Sequence, residues 1–193
     1  LPGTAGDLAG EQAGAGRPQA GVARKGTVKA AVGRELDTGA CGHQAVVSAP
    51  GFSLGVACDE HEIHRIVFLA PTAELAPRNA LAAAAAEQLA AYLANADYAF
   101  TLPLRPSGSS FQRRVWQEIA AIAVHRTRSY GELARLLHSA PRAVGQACAA
   151  NPYPVVVPCH RVLAADGRLG GFAGHRDGFL LDVKRWLLAH EGC

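Results

Sequence analysis

Asn151-Pro152-Tyr153-Pro154-Val155-Val156-Val157-Pro158-Cys159-His160-Arg161-Val162 is the stretch on which the reading of this chain turns. Three consecutive valines predict a short buried strand, because β-branched side chains suit a pleated surface packed on both faces. A proline on either side stops such a strand from extending, so Cys159 is expected on the tight turn that leaves it. A thiol placed there has one fixed backbone exit and a histidine beside it. Cysteine attacks as the thiolate, and a neighbouring imidazole or helix N-terminus makes thiolate available near neutral pH. A buried structural cysteine is the alternative this stretch leaves open, since free cysteine is among the most buried residue types.

Working outward, the chain has 193 residues, 49% of them hydrophobic, enough for one large domain or two small ones with a substantial core. No run approaches the roughly 20 apolar residues of a membrane-spanning helix, and no membrane partner is expected. The N-terminus lacks the charged-then-apolar layout of a signal peptide. The chain begins at Leu1 and contains no methionine, so its natural start is expected upstream. Five scattered cysteines, an odd number, argue against a disulfide framework and for a reducing compartment.

Charge is unevenly distributed. Residues 43–104 carry two arginines against six acids, a net of −4, whereas residues 105–193 carry twelve basic side chains against six acids, a net of +6. Within residues 105–142 there are seven arginines and only Glu118 and Glu132 to oppose them. Such a patch suits an anionic partner, nucleic acid first, with an ordinary solvated helix face as the alternative.

Residues 1–42 are rich in Gly and Ala, lack apolar periodicity and read as a flexible extension. Val46-Val47, Leu54-Gly55-Val56-Ala57 and Ile63–Leu69 then predict three short strands, followed by a helix over residues 81–93. Nothing in this unit, residues 43–104, has the look of catalytic chemistry. Residues 100–106 read as an exposed linker. In residues 105–193, Ser109-Ser110-Phe111-Gln112 and Ser129-Tyr130-Gly131-Glu132 are capping-box patterns that open two helices. The second of these helices is expected to bury Leu133, Leu136 and Leu137. Ser139-Ala140-Pro141 predicts a third helix with serine as N-cap, burying Val144, Ala147 and Cys148. Short helices joined by a tight turn form the helix-turn-helix pattern, though a plain helical hairpin fits as well. The third helix, from Arg142 through Ala143, Gly145 and Gln146, has few long polar side chains and suits backbone or minor-groove contact better than base reading. Asp166-Gly167 and Gly170-Gly171 predict a loop forming a hairpin or wing. A last helix over Phe179–His190 is expected to bury Leu180, Val183, Trp186 and Leu187, with Gly192 as its C′ residue.

With these residues in place, the chain resembles the O6-alkylguanine-DNA alkyltransferases, the methylated-DNA–protein-cysteine methyltransferases. The resemblance rests on Pro158-Cys159-His160-Arg161-Val162, Asn151-Pro152, Arg142-Ala143-Val144-Gly145, Ser129-Tyr130-Gly131-Glu132-Leu133-Ala134 and Trp186-Leu187-Leu188-Ala189-His190-Glu191-Gly192. It implies an α+β fold: a small ribonuclease H-like sheet-plus-helix domain, then a mostly helical domain with a winged helix-turn-helix. It implies irreversible transfer of the alkyl group from O6-alkylguanine, and O4-alkylthymine, to Cys159, once per molecule, after minor-groove binding and base flipping. His160 would act through a water, oriented by Glu191; Asn151 would support the Cys159 turn; and Tyr130 would donate to the departing base. Arg142 would enter the base stack, with Ala143, Gly145, Gln146 and Tyr130 against the DNA, and Val162, Phe172 and Ala173 around the base. Double-stranded DNA is the expected partner, with a monomer in solution. The expected location is the cytoplasm, with the nucleoid, in a bacterium and the nucleus in a eukaryote.

Two departures from the family pattern bear on substrate range. Residues 175–183 are about five longer than the usual connection, and Ala173 stands where serine is common. Cys41, His43, Cys58, His61 and His64 are candidate zinc ligands, but their spacing is irregular and no cofactor is expected. An alkyltransferase-like DNA binder would lack Cys159. A winged-helix regulator would carry a recognition helix rich in base-reading side chains, and a cysteine hydrolase would need an oxyanion hole that no motif marks.

Overall fold

The computed structural model describes residues 42–193, so the extension expected over residues 1–42, and Cys41 with it, lies outside the described residues but for Gly42. Three strands, β1 Ala45–Ala49, β2 Phe52–Cys58 and β3 Ile63–Leu69, form an antiparallel meander in the order β1-β2-β3. Gly51 turns the first hairpin at a φ of +86°, a conformation that glycine adopts without steric cost. Asp59 holds the second turn by accepting the amides of His61 and Glu62, each at 2.8 Å, which keeps its carboxyl well below the usual range. Alternation along β2 buries Phe52, Leu54 and Val56 against helix α1, Ala80–Ala94. Asn79 caps that helix through the Ala82 amide, and Ala82, Ala85, Leu89 and Tyr92 are its buried side.

The stretch expected as a linker is stitched to the sheet instead. Ile63 N donates to Pro103 O at 2.7 Å and Arg105 N to Ile63 O at 2.9 Å, a parallel bridge along the edge of β3. Backbone groups at an open edge find partners in whatever chain passes beside them. One apolar core runs from Ala45 on β1 to Leu187 in the last helix, so the two halves share their interior.

Helices α2 Ser110–Ala120, α3 Tyr130–Leu136 and α4 Pro141–Ala149 make the helix-turn-helix region. Both capping boxes form, at Ser109/Gln112 and Ser129/Glu132. The predicted cap at Ser139 does not form. Proline occupies the first position of α4, which makes Ala140 the N-cap, and the Ser139 amide instead closes α3 on Ala134 O at 2.8 Å. Leu136, expected in the core, is 54% exposed, because the seven-residue α3 offers only Leu133 and Ala134, with Leu137 just beyond it, to its neighbours. Trp116 of α2 donates its indole N–H to Ala147 O at 2.9 Å and so docks α2 on α4.

The valine run is not a strand. Residues 152–157 form turns, with Val155 at a φ of +74°, and Cys159–Arg161 is a short 3₁₀ turn. Pro152, Pro154 and Pro158 remove the amides a ladder would need, and Val157 N closes on Tyr153 O at 2.8 Å. The valines are buried or half-buried all the same. The loop expected as a hairpin or wing is a tight turn that follows a short parallel strand pair. Two-residue strands β4 Arg128–Ser129 and β5 Val162–Leu163 pair in parallel, and the following loop folds on itself through Ala164 N to Arg168 O at 2.9 Å. The last helix, α5 Phe179–His190, ends in a Schellman motif: Gly192 N bonds Ala189 O, Cys193 N bonds Leu188 O, and Gly192 has a φ of +68°. It buries Leu181, Val183, Lys184, Leu187 and Leu188, leaving Leu180 and Trp186 half-buried.

Candidate active site

Cys159 stands where three parts of the fold meet. The Ile66 amide of β3 donates to Pro152 O at 2.9 Å and anchors the turns that precede the cysteine. The parallel pairing of β4 with β5 brings Tyr130, the first residue of α3, to the segment that follows it. Asn151, just past α4, ties the turn from inside: its Nδ2 donates to Val157 O at 2.8 Å and to Cys159 Sγ at 3.4 Å, while its Oδ1 accepts the Tyr153 amide at 3.0 Å. Val155, β-branched and in the left-handed region, is the strained residue held by these bonds.

Cys159 is 4% exposed. Burial pushes its thiol up from the ordinary value, while the Asn151 amide and the Lys184 ammonium pull the other way. A resting Cys159 is therefore a thiol, and a reaction there needs a proton acceptor. His160, wholly buried, is the next residue in the chain. Its Nε2 lies 2.9 Å from Glu191 Oε1, which assigns the ring proton to Nε2 because a carboxylate only accepts. Nδ1 is left as a lone pair with no hydrogen-bond partner among the described residues. Burial holds the imidazole below its usual pKa, and so neutral, despite the favourable pull of Glu191.

Glu191 is itself fully buried, at the C-cap of α5. Burial alone would raise its carboxyl. His160 Nε2, Arg161 Nε at 2.7 Å and Nη2 at 2.8 Å, and the Tyr92 hydroxyl at 2.8 Å together hold it well below the usual carboxylate range. Arg161 also donates to Ile122 O at 2.6 Å. Tyr92, from the half in which no catalytic chemistry is expected, thus touches the relay directly.

A cavity of about 750 Å³ opens onto Cys159, with Tyr130, Arg142, Gly145, Gln146, Phe172 and Ala173 in its wall. Two of the residues expected at the DNA face or base pocket are absent from that wall. Val162 is fully buried in the core, with its carbonyl accepting Lys184 Nζ at 2.7 Å, and Ala143 does not line the cavity. Cys148, His175 and Arg176 join the wall unforeseen. The Tyr130 ring stands between glycines: a Cβ on Gly145 would lie 3.9 Å from it, and one on Gly170 3.3 Å. Its hydroxyl donates to Gly171 O at 3.2 Å, and burial raises its pKa, so it stays protonated.

Lys184 is the other residue the sequence reading missed. It is 0% exposed, and its ammonium donates to Val162 O, to Leu169 O at 2.5 Å and to Gly171 O at 3.3 Å. That pins the loop under Tyr130 and Phe172 to α5. Without a carboxylate partner, burial brings its pKa down to about 8. A signal was available, since Leu181, Lys184 and Leu188 share one helical face and set a lysine in an apolar stripe.

Of the zinc candidates, Cys41 lies outside the described residues, and no group of three or more His, Cys, Asp or Glu side chains among the described residues is placed to hold a metal ion. His64 pairs with Asp59 at 2.8 Å, and Cys58 Sγ lies 3.7 Å from Asn79 Oδ1.

A thiol in the wall of a cavity bounded by a helix-turn-helix, with an imidazole–carboxylate pair starting at the next residue, marks a cysteine-nucleophile enzyme of the DNA-binding kind. Comparison with known proteins narrows the class. Residues 110–193 match the 6-O-methylguanine DNA methyltransferase DNA binding domain, and residues 52–106 match that family's ribonuclease-like domain. A methylated-DNA–protein-cysteine methyltransferase of Methanosarcina mazei is 33% identical over 154 residues, covering 76% of this chain and 94% of its own length. One from Mycolicibacterium paratuberculosis is 48% identical over 111 residues, but the match spans only 64% of that relative's length and 56% of this chain. The structure of the Mycobacterium tuberculosis protein OGT in complex with DNA superposes with a TM-score of 0.65 at 34% identity, covering 76% of this chain and 90% of that one. The chain belongs to the 6-O-methylguanine DNA methyltransferase family.

Proposed function

We propose that this protein repairs DNA directly, moving the alkyl group of O6-alkylguanine onto Cys159 Sγ. The observation that carries the reading is the placement of Cys159 at a cavity, with Asn151 on its sulfur and, from the next residue in the chain, His160 paired to Glu191. The thiol proton leaves toward His160 Nδ1 through a water, and the imidazolium so formed is stabilised by Glu191. Sulfur attacks the alkyl carbon in line as the carbon–O6 bond breaks, leaving a thioether and a guanine anion. Tyr130 donates its hydroxyl proton to the base and is reprotonated by the proton His160 holds, so the thiol proton ends on guanine. A phenol kept protonated by burial is suited to that step.

The base must leave the stack to reach a buried cysteine, at a cost of a few kcal/mol. Arg142, at the leading end of α4 and in the cavity wall, is the residue that fills the gap in duplex DNA. Gly145 and the alanines of α4 permit close approach of a sugar–phosphate backbone. The protein acts as a monomer and uses no cofactor, since each role falls to its own side chains. Incubating wild type and Cys159→Ala with an oligonucleotide bearing O6-methylguanine tests the assignment. The variant should bind the DNA like wild type and leave its methyl group in place. Demethylation by the variant would refute the acceptor role.

A further inference from the structure

The sheet-and-helix half of the molecule reaches the relay through Tyr92. Tyr92 of α1 is 1% exposed, and its hydroxyl donates to Glu191 Oε1 at 2.8 Å. The same oxygen accepts His160 Nε2 at 2.9 Å and Arg161 Nη2 at 2.8 Å, while Oε2 accepts Arg161 Nε at 2.7 Å. Three donors therefore converge on Oε1 and one on Oε2, which together hold the plane of the carboxylate. Tyr92 is in turn gripped by α5: its carbonyl accepts His190 Nε2 at 2.8 Å, and its ring meets the His190 ring edge-on at 5.3 Å. The His190 ring stacks on Trp186 with centroids 4.9 Å apart.

We propose that Tyr92 is a positioning residue for alkyl transfer, its hydroxyl holding the Glu191 carboxylate in the orientation that aligns His160 with Cys159. The proposal rests on the relay read above and makes the N-terminal half a working part of it. Without this donor the carboxylate holds the His160 proton more strongly. The imidazolium is then favoured, and Nδ1 loses its lone pair at a higher pH. The other titratable or charged groups facing the pair are Cys159 and Arg161 on the 3₁₀ turn and Lys184 on α5; Cys193 lies near Tyr92, and the His125 ring bonds the Glu191 carbonyl. Arg161 cannot replace the phenol, because all three of its nitrogens are already committed.

The full chain with Tyr92→Phe, and with 3-fluorotyrosine at position 92 as a stronger donor, provides opposite perturbations of similar shape. Two readouts apply: the His160 ring titration by NMR without substrate, and the pH dependence of the reaction with O6-benzylguanine. In Tyr92→Phe the ring midpoint and the acid limb of the rate should both rise, by about half a unit to one unit, as expected for one lost hydrogen bond. The fluorinated chain should move both downward. An identical ring titration in all three chains, with only thermal stability altered, would overturn the proposal and leave Tyr92 a core residue. Failure of the wild type to take up the benzyl group would count against the alkyl-transfer reading alone, because the ring titration still decides the role of Tyr92.

Discussion

Glu191 holds a negative charge at a fully buried position, and the four bonds it accepts are what make that tolerable. Its folded pKa is depressed below the ordinary 4.5, so the stability it contributes is complete above that value and is lost as pH falls below it. Glu191→Gln should therefore flatten the acid side of the stability curve. At neutral pH it should cost about 3–5 kcal/mol, because Arg161 is left buried without its partner. Denaturant unfolding at a series of pH values checks both effects; parallel acid limbs in wild type and variant would contradict the assignment. At this scale most of the site was legible, because Cys159, His160, Asn151, Tyr130 and Glu191 each sit in a short recognisable motif. Tyr92 was not. It lies 99 residues from Glu191 in sequence, on a helix whose pattern asks only for an apolar residue, and no local signal separates a core tyrosine from one bonded to a carboxylate.

Among the elements, α4 carries the test of how the protein meets DNA. Its buried side is Val144, Ala147 and Cys148, and its open side is small except for Arg142 and Gln146. Arg142→Ala should slow repair of duplex DNA by far more than reaction with free O6-benzylguanine, since a free base needs no flipping. Comparing the two rate constants settles it, and equal losses on both substrates would mean that Arg142 shapes the pocket or the fold instead. The sequence announced the helices through their caps and periodicity, and both capping boxes and the span of α5 follow that reading. It misled at the valine run, where β-branched composition argued for a strand. Three prolines within residues 152–158 deny the ladder its amides, and the burial those valines achieve comes from turns packed on β3. Lys184 was passed over for a related reason, since a charge in an apolar stripe becomes meaningful only once the carbonyls that receive it are known.

For the whole molecule, the acidic N-terminal and basic C-terminal halves fit a division in which one faces solvent and the other faces DNA. The shared core, the edge contacts of residues 103–105 and the Ile66 to Pro152 bond join the halves. Those contacts are long-range, which is why a linker seemed reasonable from composition alone. A thioether on Cys159 has neither an acidic proton nor a good leaving group, and the neighbouring Cys148 thiol is pushed up by burial, so it stays protonated and does not take the alkyl group onward. The decisive measurement is the alkyl balance with DNA containing O6-methylguanine in excess over protein. Repair should stop at one equivalent, with one methyl group on the peptide containing Cys159. Repair continuing past one equivalent, or a methyl group on any other peptide, would contradict it.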